Sequence, residues 1–298
     1  LFIYAQHMVQ EISKKNEVSL EELVKFPDGI EGFYEDQIRR VLGNRTKNFD
    51  LDTNYDDWIS SCEWSTIQTA MVSQEPLNLM LLEGFVDNFP KREREVRKLK
   101  ENLSIFFPIR NGAIHIYHKS LSDWLTDENR REHDLYVDKK KEHAKMGSKC
   151  IDIIDRCLKS GDTEEKGVFQ YALRHGIRHL CMGDLGGKAK NLMFEFKWLL
   201  ERAKLGPANE LISDANIVLQ CNSKDKPFML LRSALRLSQG GLEMDPLQIA
   251  GQLVARLMSF DGKMEEISTL LKSIKEWKGP KDGKGWWCPV AQSYQVAG

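Results

Sequence analysis

Asn111-Gly112 constrains the fold of this chain more than any other dipeptide. It stands between two apolar runs, Leu103-Ser104-Ile105-Phe106-Phe107 and Ala113-Ile114-His115-Ile116-Tyr117-His118. A two-residue type I′ hairpin turn needs positive φ at both central positions, which Asn and Gly tolerate and branched side chains do not. Two short strands over those runs are expected. Beyond about residue 129 strand signals vanish and helical periodicity takes over. The chain therefore reads as mainly α with one β-hairpin.

The residues ahead of the hairpin give it a context. A helix is expected from about Trp58 to Val72. Glu75-Pro76 opens a second, with an apolar face of Leu77, Leu79 to Leu82, Phe85 and Val86, and a third, charged helix follows Pro90. Three helices and a β-hairpin in that order make a winged helix, here over residues 51–128. Residues 1–50 read as a small helical subdomain of three short helices. Ser19-Leu20-Glu21-Glu22 has capping-box spacing, and Pro27-Asp28-Gly29 is a stop. Ile30, Phe33, Tyr34, Ile38, Val41 and Leu42 then mark one face of a helix. Residues 129–277 read as an irregular, superhelical α-helical arm without a strict repeat. Its breaks are expected at Ser160-Gly161-Asp162, Gly183 to Gly187, Gly206-Pro207, Lys224 to Pro227, Gly240-Gly241 and Asp261-Gly262. Residues 278–298 are Lys/Gly/Pro-rich around Trp286-Trp287-Cys288-Pro289 and read as a linker.

Composition narrows the function classes. The formal net charge is -1, with 41% hydrophobic and 29% charged residues, so no global field attracts nucleic acid or an anionic membrane. No apolar run approaches the length that spans a bilayer. The six cysteines are scattered without a C-x-x-C pair and read as idle thiols of a reducing, cytoplasmic compartment. The chain opens on Leu1-Phe2-Ile3-Tyr4-Ala5 and continues at helical spacing into Met8, Val9 and Ile12, which reads as the middle of a larger protein.

Four separated stretches carry a family resemblance. Leu1-Phe2-Ile3-Tyr4-Ala5 resembles the helix that follows the nucleotide-binding core of NACHT-type signal-transduction (STAND) ATPases. The run from Phe26 to Tyr34 resembles the small helical subdomain after it. The stretch from Glu75 to Leu125 is similar to their winged helix, and that from Tyr171 to Leu180 to the helical arm of NACHT proteins ending in WD repeats. Gln252 to Leu257, then Trp287-Cys288-Pro289, is similar to the segment leading into such a propeller. The resemblance implies a regulatory role: autoinhibition and nucleotide-state switching of an upstream ATPase core, a downstream WD-repeat partner in the same protein, and homo-oligomerisation on release. ATP or ADP would belong to the parent protein, with no cofactor held by this chain alone.

Candidate site residues follow. A P-loop needs G-x-x-x-x-G-K-[ST]; around Gly187-Lys188 the first Gly is Met182 and the hydroxyl residue is Ala189, so the chain is not expected to be an enzyme. His118 ends the second expected strand just before a helix at Lys119-Ser120. A His at the matching place contacts ADP in the resembled family, and His118 is the candidate cofactor-binding residue. The alternative is a strand-end His that caps the helix. His115 and His118 are three apart on a strand and face opposite ways. His175 and His179 are four apart on a helix and share a face, but Gly176 stands where a zincin needs its Glu. No metal is expected. Two rival readings remain open: a DNA-binding winged-helix regulator, and a hydrolase with a site built on His175 and His179. For DNA, the candidate recognition helix, Pro76 to Asn88, has no Lys or Arg. The following helix interleaves Glu93, Glu95 and Glu101 with its cations, which argues against nucleic acid.

Overall fold

The structure, a computed structural model, describes residues 9, 29–43, 61–104, 106–116, 119–160, 166–280 and 285–291. Among them the chain is mainly α-helical with one small sheet. It divides into two units, Leu1–Lys139 and Lys140–Gly298. The helices expected before residue 28, the start of the Trp58 helix and Trp58 itself lie outside the described residues.

In the first unit α1 (Gly29–Gly43) buries Phe33, Tyr34, Ile38, Val41 and Leu42, the face that the spacing predicts. α2 (Cys62–Val72) is capped by Ser61, whose hydroxyl accepts from Trp64 N at 3.1 Å. Ten of its eleven residues are buried, so it is the centre of the unit rather than a surface helix. β1 (Leu77–Asn78), α3 (Leu79–Phe85), α4 (Glu93–Leu103), β2 (Ile109–Arg110) and β3 (Ala113–Ile114) follow in that order. The sheet is antiparallel with order β1-β3-β2, pairing Leu77 with Ile114 and Ile109 with Ile114. Helix–strand–helix–helix–strand–strand with this strand order is the winged-helix arrangement. Asn111 and Gly112 carry φ 52 and φ 75, as the type I′ turn requires.

Three expectations about this unit are corrected. Leu77 does not belong to a helix: it is the buried half of β1, and Asn78 is the cap that starts α3, accepting from Leu81 N at 3.0 Å. Leu103-Ser104 and Phe106-Phe107 do not form a strand. Leu103 closes α4, and Phe106 and Phe107 turn back on it, both amides donating to Leu103 O. Both rings are buried, so the apolar run plugs the core instead of alternating across a sheet. Pro108 then precedes the true strand. The second strand stops at Ile114 rather than His118, although His115 N still donates to Pro108 O at 3.1 Å.

α5 (Lys119–Leu125) buries Leu121, Trp124 and Leu125. Tyr34 of α1 hydrogen-bonds Ser120 Oγ at 2.7 Å and packs on Trp124, so α1 and α5 share one aromatic cluster. The Arg130 guanidinium lies 4.0 Å over the other part of that cluster, the Trp124 ring.

The second unit is helical wherever it is described as regular. It holds α6 (Lys139–Ser160), α7 (Lys166–Met182), α8 (Gly186–Met193), α9 (Phe196–Lys204), α10 (Ala208–Cys221), α11 (Lys226–Leu237), α12 (Gln239–Met244), α13 (Ile249–Leu257) and α14 (Glu265–Glu276). α6 and α7 approach closely because glycines lie between them. A methyl at Gly147 would meet Leu180 Cδ2 at 2.9 Å, one at Gly176 would meet Cys150 Cβ at 3.2 Å, and one at Gly183 would overlap the Ala144 backbone. Gly240-Gly241 is not a break: both lie inside α12, and the chain turns at Ser238 and again at Asp245-Pro246. After α14, Trp286 Nε1 donates to Trp277 O at 2.8 Å, and Trp277 packs edge-on to Phe196. Among the described residues no helix is long and apolar enough to cross a membrane.

Candidate functional site

His118 and its neighbour Tyr117 lie outside the described residues. The chain on either side is placed. Ile116 is partly exposed after β3, and Lys119 opens α5, whose Ser120 is anchored to Tyr34. The segment that carries His118 thus joins the wing to a helix fixed against α1.

The recognition-helix assignment changes. In this topology the helix that precedes the hairpin is α4, not the segment from Pro76 to Asn88. α4 buries only Leu99 and Leu103 and exposes Arg94, Arg97 and Lys98, with Arg110 exposed on β2. Glu93 lies 3.5 Å from Arg97, and Glu95 lies 4.0 Å from Arg92, so the cations are partly matched within the helix. Exposed i,i+3 and i,i+4 pairs of this kind are worth a few tenths of a kcal/mol, ~0.3–0.5, and a polyanion can outcompete them.

His175 and His179 do share a face of α7. His179 is fully buried and has partners on both ring nitrogens: His143 Nδ1 lies 2.9 Å from its Nδ1, and the Tyr171 hydroxyl 3.0 Å from its Nε2. His175 is half-buried and packs on the Tyr171 ring at 4.8 Å between centroids. One proton must sit between the two Nδ1 atoms, since two N–H groups facing each other at that distance would repel. His179 is held neutral: burial, then His143, His175 and Arg178, push its pKa down to about 3. A buried, neutral imidazole bonded on both sides pins α6 to α7 and presents no face to a substrate. Among the described residues no group of three His, Cys, Asp or Glu could hold a metal ion. His143 and Tyr171 were not singled out from the sequence. His143 is 36 positions from His179 on another helix, and no periodicity connects the two.

A second polar pin joins α9 to α10. Arg202 Nε donates to Asp214 Oδ2 at 2.9 Å and Nη2 to Glu210 Oε2 at 3.2 Å. Arg202 and Asp214 are both buried. Burial pushes the Asp214 carboxyl up, to about 7, against the downward pull of the Arg202 guanidinium.

Comparison with protein-family models, with curated proteins and with solved structures finds no match to this chain.

Proposed function

We propose that this chain is a regulatory segment of a NACHT-type signal-transduction ATPase, acting by autoinhibition and nucleotide-state switching rather than by catalysis. The observation that carries the reading is the order of parts: a winged helix, then His118, then α5 anchored on the helix before the winged helix, then a helical arm. A switch of this class needs a docking wedge beside a polar residue, and in the sequence His118 follows the wing directly. The wedge also exposes Leu79, Met80, Ile109 and Ile116, large apolar side chains of the kind a domain-docking surface uses. The partners in this reading are an ATPase core before Leu1 and a WD-repeat domain after Gly298, in a cytoplasmic protein that oligomerises when released. ATP or ADP belongs to the core.

The test uses the full-length protein. A ligand that binds only the closed state holds the population there in proportion to its differential affinity. One charge-assisted hydrogen bond is worth about 1.5–3 kcal/mol, or about ten- to a hundredfold in the closed:open ratio. His118→Ala is expected to speed ADP dissociation by that factor and to raise the oligomeric fraction in sedimentation. His115→Ala is the control and keeps wild-type retention. Wild-type ADP retention by His118→Ala overturns the reading, as does a transcript with no P-loop upstream of the Leu1 codon.

The exposed cations of α4 and Arg110 favour a second reading, DNA contact through the helix before the wing. Fluorescence anisotropy with duplex DNA decides it. Binding that weakens steeply between 50 and 200 mM salt, as counterion release at ~6–10 phosphate contacts demands, and that Arg94→Glu abolishes, supports DNA contact. Salt-independent or absent binding removes it.

A further inference from the structure

The dipeptide that closes the hairpin carries chemistry of its own. Asn111-Gly112 is the one Asn-Gly pair in the sequence. An asparagine side chain is labile when the next backbone nitrogen can reach its carbonyl carbon, and a following glycine has no Cβ to obstruct the approach. Here nothing around the pair obstructs it either. Both residues are exposed, and a methyl built on Gly112 would meet nothing within 4 Å. Among the described residues neither the Asn111 side chain nor Gly112 N takes a hydrogen bond. The strands on each side of the turn have two residues each, pairing Arg110 with Ala113 and Ile109 with Ile114, so the tip opens at little cost. Comparable pairs in the arm are tied down. Asn222, which precedes Ser223, donates its side-chain amide to Gly186 O at 3.2 Å and to Val218 O at 3.0 Å. Asp261 precedes Gly262, but Gly262 N donates to Ser268 Oγ at 2.7 Å, and Lys275 Nζ holds the carboxylate at 3.0 Å.

We propose that Asn111 is a self-modifying site, converting through a cyclic imide to isoaspartate and aspartate and so dismantling the wing as the protein ages. When the tip opens, Gly112 N attacks Asn111 Cγ. The new N–C bond closes a five-membered succinimide, and the side-chain nitrogen leaves as ammonia, taking the proton from Gly112 N. Water then opens the ring. Addition at Cγ gives aspartate. Addition at the main-chain carbonyl carbon of residue 111 gives isoaspartate, in which the backbone runs through the former side chain and gains one carbon. In sum one water is consumed and one ammonia released, with no oxidation or reduction. Either product puts a carboxylate beside the exposed Arg110. Isoaspartate also lengthens a turn whose two-residue length sets the pairing of Arg110 with Ala113, so it is the product that unlatches the hairpin. This chemistry is independent of what the wing docks against.

The experiment ages the whole folded chain in warm, mildly alkaline buffer and maps it by peptide mass spectrometry. The amide of Asn111 is expected to be lost while that of Asn222 is retained. An isoaspartyl methyltransferase with S-adenosylmethionine is expected to label the peptide containing residue 111, because direct hydrolysis of the side chain yields no isoaspartate. Hydrogen exchange should show protection of Ala113 to His115 falling in step with the label. Asn111→Gln, whose longer side chain would need a slower six-membered closure, should keep both its amide and its hairpin protection. Exchange measured before ageing checks that this variant folds, and the wild-type map stands without it. The proposal is overturned if Asn111 keeps its amide, if Asn222 converts as fast in the folded chain, or if Asn111 yields aspartate alone. It is equally overturned if Asn111→Gln loses hairpin protection on ageing as fast as wild type.

Discussion

In the winged helix two buried hydroxyls bond to their own helix, Ser61 capping α2 and Thr66 returning to Cys62 O at 2.7 Å, while Ser65 reaches further to accept from Asp87 N at 3.0 Å. The arm adds buried ionisable side chains that reach from one helix to another: His143 with His179, Arg202 with Asp214, and Arg256 with the carbonyl of Leu237 at 2.9 Å. A local hydroxyl bond fixes the end of one helix and is indifferent to pH. A buried ionisable bridge fixes two helices relative to one another and fails when its protonation changes. The winged helix is therefore held by turn and cap chemistry, and the arm by pins whose strength depends on conditions.

Five substitutions probe that contrast, each read by segment-resolved hydrogen exchange. Asp214→Ala should have the largest effect, about 3–5 kcal/mol on the arm, because it leaves the Arg202 guanidinium buried beside only a half-exposed Glu210. Arg202→Met should cost less, since Asp214 can take up a proton and an arginine cannot lose one. Equal costs would mean that the pair is not acting as a charged pin.

Acid comes next. The folded pKa of His179 is depressed to about 3 from an ordinary 6.5, so its contribution is full above pH 6.5 and is lost as the pH falls toward 3. The slope is at most about 1.4 kcal/mol per pH unit. Asp214 works in the opposite sense: its raised folded pKa adds stability that is present below 3.8 and lost as the pH rises through about 7. His179→Gln is expected to flatten the acid loss relative to wild type between pH 6.5 and 4.5, by about 2–3 kcal/mol over the range. Parallel pH profiles for the two proteins would break the assignment.

Gly183→Ala should destabilise the α6–α7 packing by about 1–3 kcal/mol, because backbone atoms of Ala144 cannot move aside as a side-chain end would. Gly112→Ala should have the smallest effect, about 1–2 kcal/mol confined to the winged helix, because φ 75 is strained for any Cβ and nothing else is within reach. Protection lost across the arm in that variant would contradict the local character of the turn.

Legibility in the sequence followed the same division. Features set by neighbouring residues were readable: the buried face of α1, the Asn111-Gly112 turn, the start of α5 and most breaks in the arm. Leu77-Asn78 was misassigned because a two-residue strand has no periodicity, and Asn78 doubles as a helix cap. Phe106-Phe107 was misassigned because a short apolar run fits a strand and a core plug equally well. The contact of His179 with His143 was invisible, being 36 positions apart and created only by the packing of helices.

The end of the arm has a mechanical consequence. Gly279 and Gly285, at φ 91 and φ 54, bring the two ends of the 279–285 segment together, so that a methyl on the first would meet the backbone of the second at 3.0 Å. The Trp286 indole clips the Gly285 end of that approach to Trp277 O, and Trp277 leans on Phe196 of α9. Trp287, next along, has a side chain 95% exposed, while its carbonyl lies close to Gly251 of α13, where a methyl would meet it at 3.1 Å. A pull applied beyond residue 287 therefore meets the approach of Trp287 to α13, the Trp286 hydrogen bond and the Trp277–Trp286 ring pair. These contacts must part before tension reaches α14, so the helices behind them are shielded until they have.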